Sequence, residues 1–188
     1  MSARESSMIE SVKIGIAATI NGTGDVAQAA VDTVIRTLNT TVEEFGKAGV
    51  LVLGAAANVS KAVIHGATGV GAHVGHAARG TVIGVLRASK HTGAEAIDTV
   101  SDTAYALIHG TFEVGGELGH AAAGAVEGAI SVANEAGVSA EAAASAAAHG
   151  ALQAADKLGS AALDTVCQAM KETIGGVKVV LRAPFNNA

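Results

Sequence analysis

The chain has 188 residues, a formal net charge of -5, one proline and one cysteine. This length suits one domain or one elongated bundle, and the acidic balance argues against a general nucleic-acid-binding protein. The single Cys167 excludes an intramolecular disulfide framework and a cysteine-based zinc finger. Hydrophobic residues make up 49% of the chain but aromatic residues only 2%. Each core residue therefore buries little apolar area, and the packed elements must approach each other closely.

The predicted elements are a flexible N-terminus at residues 1–8, four long helices, and a C-terminal tail at residues 176–188. The helices are expected at about residues 9–45, 50–90, 94–135 and 139–173. Together they form one repeat-built helical domain over residues 9–175. The expected fold class is all-α, an elongated antiparallel four-helix bundle.

Glycines and one serine mark the expected helix boundaries. Gly46–Gly49 and Gly93 supply turns between helices, and Gly137 supplies a C-cap. Ser139 supplies the N-cap of the fourth helix. A break between Thr68 and Gly71 would divide the second helix in two.

The helices are predicted from a repeat of eleven residues that runs through residues 31–140. Apolar residues fill most of the first, fourth, seventh and last positions, whereas charged residues and histidines favour the second and sixth positions. Since eleven residues make three turns at about 3.67 residues per turn, the apolar positions share one side of a nearly straight helix. The pattern predicts amphipathic helices with a broad face of Val, Ala, Gly, Leu and Ile.

A longer period of 44 residues lies on top of the short one. Residues Ala62–Gly66 recur as Ala106–Gly110, and residues Gly75–Ala78 recur as Gly119–Ala122. Weaker copies precede and follow these two. We predict four imperfect copies of one unit of about 44 residues, produced by duplication.

Charge is segregated between the two middle helices. Residues 47–92 contain five basic residues and no acidic one, and residues 93–136 contain seven acidic residues and no basic one. When the chain is folded back at Gly93, Arg87 falls opposite Asp98 and Lys90 falls opposite Glu95. This pattern favours an antiparallel pairing of the two helices, although exposed pairs contribute only about 0–1 kcal/mol each.

The same fold-back aligns several histidines and suggests a metal site. It places His65 opposite His120, and the outer helices bring His149 and Asp32 to the same level. Three histidines and one carboxylate could bind zinc, iron or copper, and a histidine could bind haem. Further candidates of lower rank are His76, His109 and His73. Two other interpretations stay open: polar-face histidines inherited by duplication, and a pH-responsive contact.

Five glycines recur with the 44-residue period and lie on two sides of the predicted helices. They are Gly66, Gly71, Gly75, Gly80 and Gly84, repeated as Gly110, Gly115, Gly119, Gly124 and Gly128. Small residues on two sides allow close approach by two neighbouring helices. We therefore expect tight packing at these glycines, with room for a flat cofactor as the alternative.

The chain resembles the eleven-residue-repeat amphipathic proteins, namely perilipins, synucleins and late-embryogenesis proteins. The resemblance rests on the segments Val31–Val34, Ile97–Val100 and Leu163–Val166, and on the small apolar face. It implies coating of lipid surfaces, or membrane protection, by helices that fold on the surface. This chain departs from the pattern in having few lysines at the polar–apolar border.

Three functions are compatible with these observations. The first is a non-enzymatic structural or scaffold protein that self-associates through small-residue faces into an oligomer or larger assembly. The second is a peripheral lipid-surface-binding protein, and the third is a metal- or haem-binding bundle. Mean hydropathy is +0.41, but polar groups interrupt each apolar run before about 18 residues. We expect a cytoplasmic protein, either free or peripheral to a membrane or lipid surface.

Overall fold

The computed structural model describes residues 25–45, 49–69, 73–89 and 93–171. This part of the chain is helical, without strands, which confirms the predicted all-α class. Its helices are α1 (Val26–Phe45), α2 (Gly49–Gly69), α3 (Val74–Ser89), α4 (Ala94–Glu113), α5 (Leu118–Val132), α6 (Ala140–Leu158) and α7 (Ser160–Met170). The predicted N-terminus, the tail at 176–188 and the first half of the helix predicted at 9–45 lie outside the described residues.

Two of the four predicted long helices are wrong in length. The helix expected at 94–135 is divided into α4 and α5, and the helix expected at 139–173 is divided into α6 and α7. The helix expected at 50–90 contains α2 and α3, and residues 70–72, next to the break foreseen near Gly71, lie outside the described residues. The breaks at Gly115 and Gly159 have a local cause, because φ is 66° and 115° there. Such angles leave the helical region and favour glycine.

Glycines with positive φ recur every 22 residues in the described chain, at Gly93, Gly115, Gly137 and Gly159. One helix with its turn therefore spans two eleven-residue units, and the 44-residue unit is a helical hairpin. The predicted N-cap at Ser139 is confirmed, whereas α5 ends at Val132 with Ala133 as its C-cap, and Gly137 lies in the turn that follows. Gly137 has a φ of 68°, and the Ser139 side chain accepts a hydrogen bond from the backbone N–H of Ala142 at 3.1 Å.

The helices form two layers. We call α1, α3, α5 and α7 the first layer and α2, α4 and α6 the second layer. The most extensive contacts join α1 to α3, α3 to α5, and α4 to α6, which are helices two apart in the chain. Among the described helices, none contacts a helix more than two positions away. The result is an open stack of hairpins, as in helical-repeat proteins, because each unit packs only on its neighbours.

The register between repeats also differs from the predicted fold-back. Arg87 pairs with Glu135, 48 residues later, and not with Asp98. Lys61 pairs with Glu113, 52 residues later. These separations are the 44-residue repeat plus one or two helical turns, so equivalent helices lie parallel and side by side. Basic and acidic segments do pair as predicted, but through the stacking of successive repeats. Lys90 lies outside the described residues.

Glycines set the distance between helices of one layer. A Cβ at Gly124 would lie 2.0 Å from the carbonyl oxygen of Gly75, and a Cβ at Gly150 would lie 1.9 Å from that of Ser101. A Cβ at Gly80 would lie 2.1 Å from the carbonyl oxygen of Ala27. Helix α3 is thus approached on two sides, by α1 at Gly80 and by α5 at Gly75. This confirms the predicted close packing at Gly75, Gly80 and Gly124, whereas Gly115, which belongs to the same predicted set, forms a turn.

Candidate functional site

A cluster of polar side chains joins α2 to α4 on the outer face of the second layer. Lys61 Nζ donates a hydrogen bond to Glu113 Oε1 at 3.2 Å, and His65 Nε2 lies 3.5 Å from Glu113 Oε2. His109 Nδ1 lies 3.0 Å from Glu113 Oε1, at an angle that makes no hydrogen bond. We call these four residues the Glu113 cluster. The helical spacing of four residues brings both pairs, 61 with 65 and 109 with 113, to one face of each helix.

The Glu113 carboxylate is stabilised by its surroundings. Partial burial raises its pKa, but the hydrogen bond and charge of Lys61, with His65 and His109, outweigh that effect and hold the pKa of Glu113 below its ordinary value. The Glu113 side chain remains 39% exposed, so water screens these interactions. The cluster can anchor one repeat to the next, and two imidazoles lie within reach of one carboxylate.

The same arrangement recurs one repeat later, between α4 and α6. The Tyr105 ring stacks on His109 with centroids 6.4 Å apart. Lys157 Nζ lies 5.0 Å from the centroid of the Tyr105 ring and 3.3 Å from its hydroxyl. Tyr105 and Lys157 are the repeat equivalents of Lys61 and Glu113, with the same separation of 52 residues. The second layer therefore carries a polar contact at equivalent positions of successive helices.

The first layer has its own ion pair between repeats. Arg87 donates two hydrogen bonds to the Glu135 carboxylate, at 2.8 and 3.0 Å. Hydrogen bonding to Glu135 raises the pKa of Arg87, and hydrogen bonding to Arg87 lowers the pKa of Glu135. Arg79 Nη2 lies 3.5 Å from Ser131 Oγ. These pairs join α3 to the helix α5 and to the turn that follows it.

A groove of about 710 Å³ lies on the outer face of the first layer, between α1 and α3. We call it the α1/α3 groove. Its lining combines apolar residues with positively charged ones, and Asp25 and Ser131 lie at its edges. Helix α3 contributes His76, Arg79, Ile83 and Arg87, and α1 contributes Val26, Ala27, Gln28 and Val31.

Three carboxylates stand on the outer face of α4, at Glu95, Asp98 and Asp102. We call them the α4 acidic ridge. All three are exposed, and within the described ranges none of them has an ion-pair partner within 4 Å. Partial burial, and then repulsion from Asp98, raise the pKa of Asp102. Among the described residues, no basic side chain therefore neutralises the negative charge of the α4 acidic ridge.

The structure does not bring the main predicted metal ligands together. His65 lies in the Glu113 cluster, whereas His120 contacts Glu117 on the other layer. His149 Nε2 lies 2.9 Å from the Gln153 amide, and Asp32 accepts a hydrogen bond from Gln28 at 2.8 Å. The predicted fold-back does not occur, because helices two apart in the chain stack in parallel. The four predicted ligands are therefore kept apart.

The lower-ranked histidines are also separate. His73 and His76 form a ring contact with centroids 5.7 Å apart at the start of α3. His109 was predicted to lie opposite His76. It lies instead beside Glu113, which His65 also contacts. In the part of the chain that the structure describes, no group of three or more His, Cys, Asp or Glu side chains is arranged to hold a metal ion.

The sequence interpretation missed the contacts between Lys61 and Glu113, Arg87 and Glu135, and Tyr105 and Lys157. Their signal was present in the 44-residue period. When equivalent helices of successive repeats lie parallel, the residue numbers of contacting pairs differ by a constant. When a chain folds back on itself, the two residue numbers of each contacting pair add up to a constant. Opposite charges 48 or 52 residues apart were the available indication.

The described helices form an all-α protein in which each helix packs on helices one or two positions away. The chain matches no protein-family model, and no curated protein and no solved structure shows significant similarity to it. Within the described helices, none is both long enough and apolar enough to cross a membrane.

Proposed function

We propose that this chain is a non-enzymatic scaffold protein that self-associates into an oligomer or larger assembly. The proposal depends on the open arrangement of the two layers, in which the described helices follow one another without closing into a compact bundle. Each described helix packs only on helices one or two positions away, so both outer faces stay uncovered by the described chain. Helical-repeat proteins use such extended faces for binding.

The chemistry of the interior supports a structural role. Every Asp, Glu, Lys, Arg and His whose side chain the structure describes is exposed or half-buried. The buried polar residues in that part of the chain are five threonines and Ser60. The hydroxyls of Thr81, Thr103 and Thr111 each donate to the carbonyl four residues earlier at 2.7 Å. The helix backbone thus satisfies these buried hydroxyls, and the charged side chains of the described residues lie at the surface.

The described glycines favour association through the outer faces and not through small-residue faces. Gly80, Gly124 and Gly150 already contact neighbouring helices of the same chain, so they are covered. Charged side chains remain on the outside, with Arg79 and Arg87 on α3 and the acidic ridge on α4. A second copy would therefore meet polar faces of opposite charge.

Helicity and molar mass, measured together in dilute buffer without lipid, test this proposal. We expect a strongly helical species that melts cooperatively and has a mass of several copies by light scattering after size exclusion. A helical species that stays monomeric at all concentrations would contradict self-association. A disordered monomer that becomes helical only on anionic vesicles would instead support the lipid-surface function.

A further inference from the structure

The α1/α3 groove and the α4 acidic ridge carry opposite charge on opposite outer faces of the molecule. We propose that the α1/α3 groove of one copy binds the α4 acidic ridge of a second copy. This inference rests on the proposed self-association and specifies which surfaces meet.

The charges of the two helices are complementary. Residues 73–89, which include α3, contain no acidic residue, and α4 contains no lysine or arginine. Arg79 is exposed and makes no ion pair within 4 Å among the described residues. Arg87 already binds Glu135, so Arg79 is the main cationic anchor of the groove.

The acidic residue that lines the groove, Asp25, makes hydrogen bonds within its own helix end. Asp25 Oδ1 accepts hydrogen bonds from the backbone N–H groups of Ala27 and Gln28, at 2.9 and 3.3 Å. It thereby caps the start of α1, where the helix dipole favours a negative charge. The negative charge of Asp25 is therefore partly satisfied at the end of the groove.

The dimensions of the two surfaces agree. Arg79 and Arg87 are eight residues apart on one face of α3, which is about 12 Å along the helix. Glu95 and Asp102 are seven residues apart on one face of α4, which is about 10 Å. The groove floor contains the buried residues Val31 and Ile83. A helix ridge lying in the groove would thus pair a carboxylate with Arg79, extend as far as the Arg87–Glu135 pair, and cover apolar surface below.

The two surfaces belong to opposite layers, so the contact joins different patches of the two copies. Unless it closes on itself, an assembly built by such a head-to-tail contact leaves one groove free at one end and one ridge free at the other. It forms a ring if the rotation between copies closes, and an open-ended assembly if it does not. Because the pairs are solvent-exposed, the contact weakens at high ionic strength.

Charge reversal in the full-length chain tests the proposal. The variants are Arg79→Glu and Asp98→Arg, compared with the exposed controls Lys171→Glu and Asp164→Arg, which make the same charge changes on or beside α7. We expect each test reversal to weaken self-association about 3- to 30-fold at low salt. We expect the controls to stay close to wild type. An equimolar mixture of the Arg79→Glu and Asp98→Arg chains should regain the wild-type mass, because each reversed surface meets its reversed partner.

The outcomes separate the two proposals. A wild-type chain that associates while both test variants behave like the controls, or fail to recover on mixing, would overturn the groove–ridge contact and leave self-association standing. A wild-type chain that stays monomeric would overturn self-association itself. Circular dichroism checks that each variant folds, and Arg79→Gln with Asp98→Asn replace any reversal that does not.

Discussion

The substitution Gly124→Ala should destabilise the stack although alanine is the better helix former. The new Cβ would lie 2.0 Å from the carbonyl oxygen of Gly75 and 2.8 Å from its carbonyl carbon. Both atoms belong to the backbone of α3, so no side-chain rotation can relieve the overlap. The two helices must instead move apart by more than about 1 Å, and a gap of that size removes a quarter to a half of the dispersion attraction between facing atoms.

The expected cost is about 2–3 kcal/mol. Overpacking costs typically about 1–3 kcal/mol, and the weaker dispersion attraction between α3 and α5 adds to it. The gain in helix propensity from glycine to alanine, about 1 kcal/mol, offsets part of this cost. Stability is measured as the urea midpoint of the helical signal in the full-length chain.

Gly119→Ala is the matched control on the same helix. Its Cβ would meet Ala169 Cβ at 3.5 Å and the Thr165 methyl at 3.8 Å, which are ordinary contact distances. We expect no loss of stability, or a gain of up to about 1 kcal/mol. If Gly124→Ala is as stable as Gly119→Ala, then backbone contact at Gly124 does not set the helix spacing, and the reasoning is refuted.

Substitutions at three further sites test the turns, the caps and the Glu113 cluster. Gly115→Ala should lower the free energy of unfolding by about 1–2 kcal/mol, because φ is 66° there and alanine is strained at such angles. Gly115→Asn should lower it by less. Equal urea midpoints for both variants and wild type would contradict this. Ser139→Ala should lose about 1 kcal/mol with its N-cap hydrogen bond, and Ser139→Asp should retain most of it, as the thermal midpoint would show. Glu113→Gln should cost at most about 1 kcal/mol near pH 7, and less at high salt. Because the folded pKa of Glu113 is lowered, its contribution is complete above the unfolded value of about 4.3 and is lost as pH falls through the folded pKa. The urea midpoints of Glu113→Gln and wild type should converge in that acid range, and a constant difference would contradict the assignment.

The amphipathic pattern was sufficient to predict helices, but it could not show where each helix ends. One helix with its turn spans 22 residues, which is two whole eleven-residue units, so the apolar positions continue in phase across each turn. Gly115 and Gly124 stand in the same pattern, yet one forms a turn and the other a close contact. The difference depends on which helix lies beside each glycine, and that neighbour is a tertiary property.

The candidate surfaces were only partly predictable for a related reason. Charge segregation between residues 47–92 and 93–136 fits both a fold-back and a stack of repeats, since all basic residues lie in one segment and all acidic residues in the other. The two arrangements differ only in which residues meet. Stacking brings Lys61 to Glu113 and Arg87 to Glu135, and it separates His65 from His120. The 44-residue period implies that equivalent helices are related by translation along the stack. It was therefore a stronger indication of the arrangement than the charge segregation.

The last described helix, α7, packs less tightly on its layer than the helices before it. Gly80 and Gly124 occupy equivalent positions in α3 and α5 and hold each helix against the one before it. The next equivalent position, in α7, is Gln168, an exposed residue with a long side chain. Contacts between α5 and α7 are accordingly far less extensive than those between α3 and α5. A helix at the edge of a repeat stack needs a polar outer face where no further helix covers it, and α7 is the last helix that the structure describes. Growth of an assembly by adding copies end to end would lack the glycine contact at α7, which favours association through the outer faces of the layers.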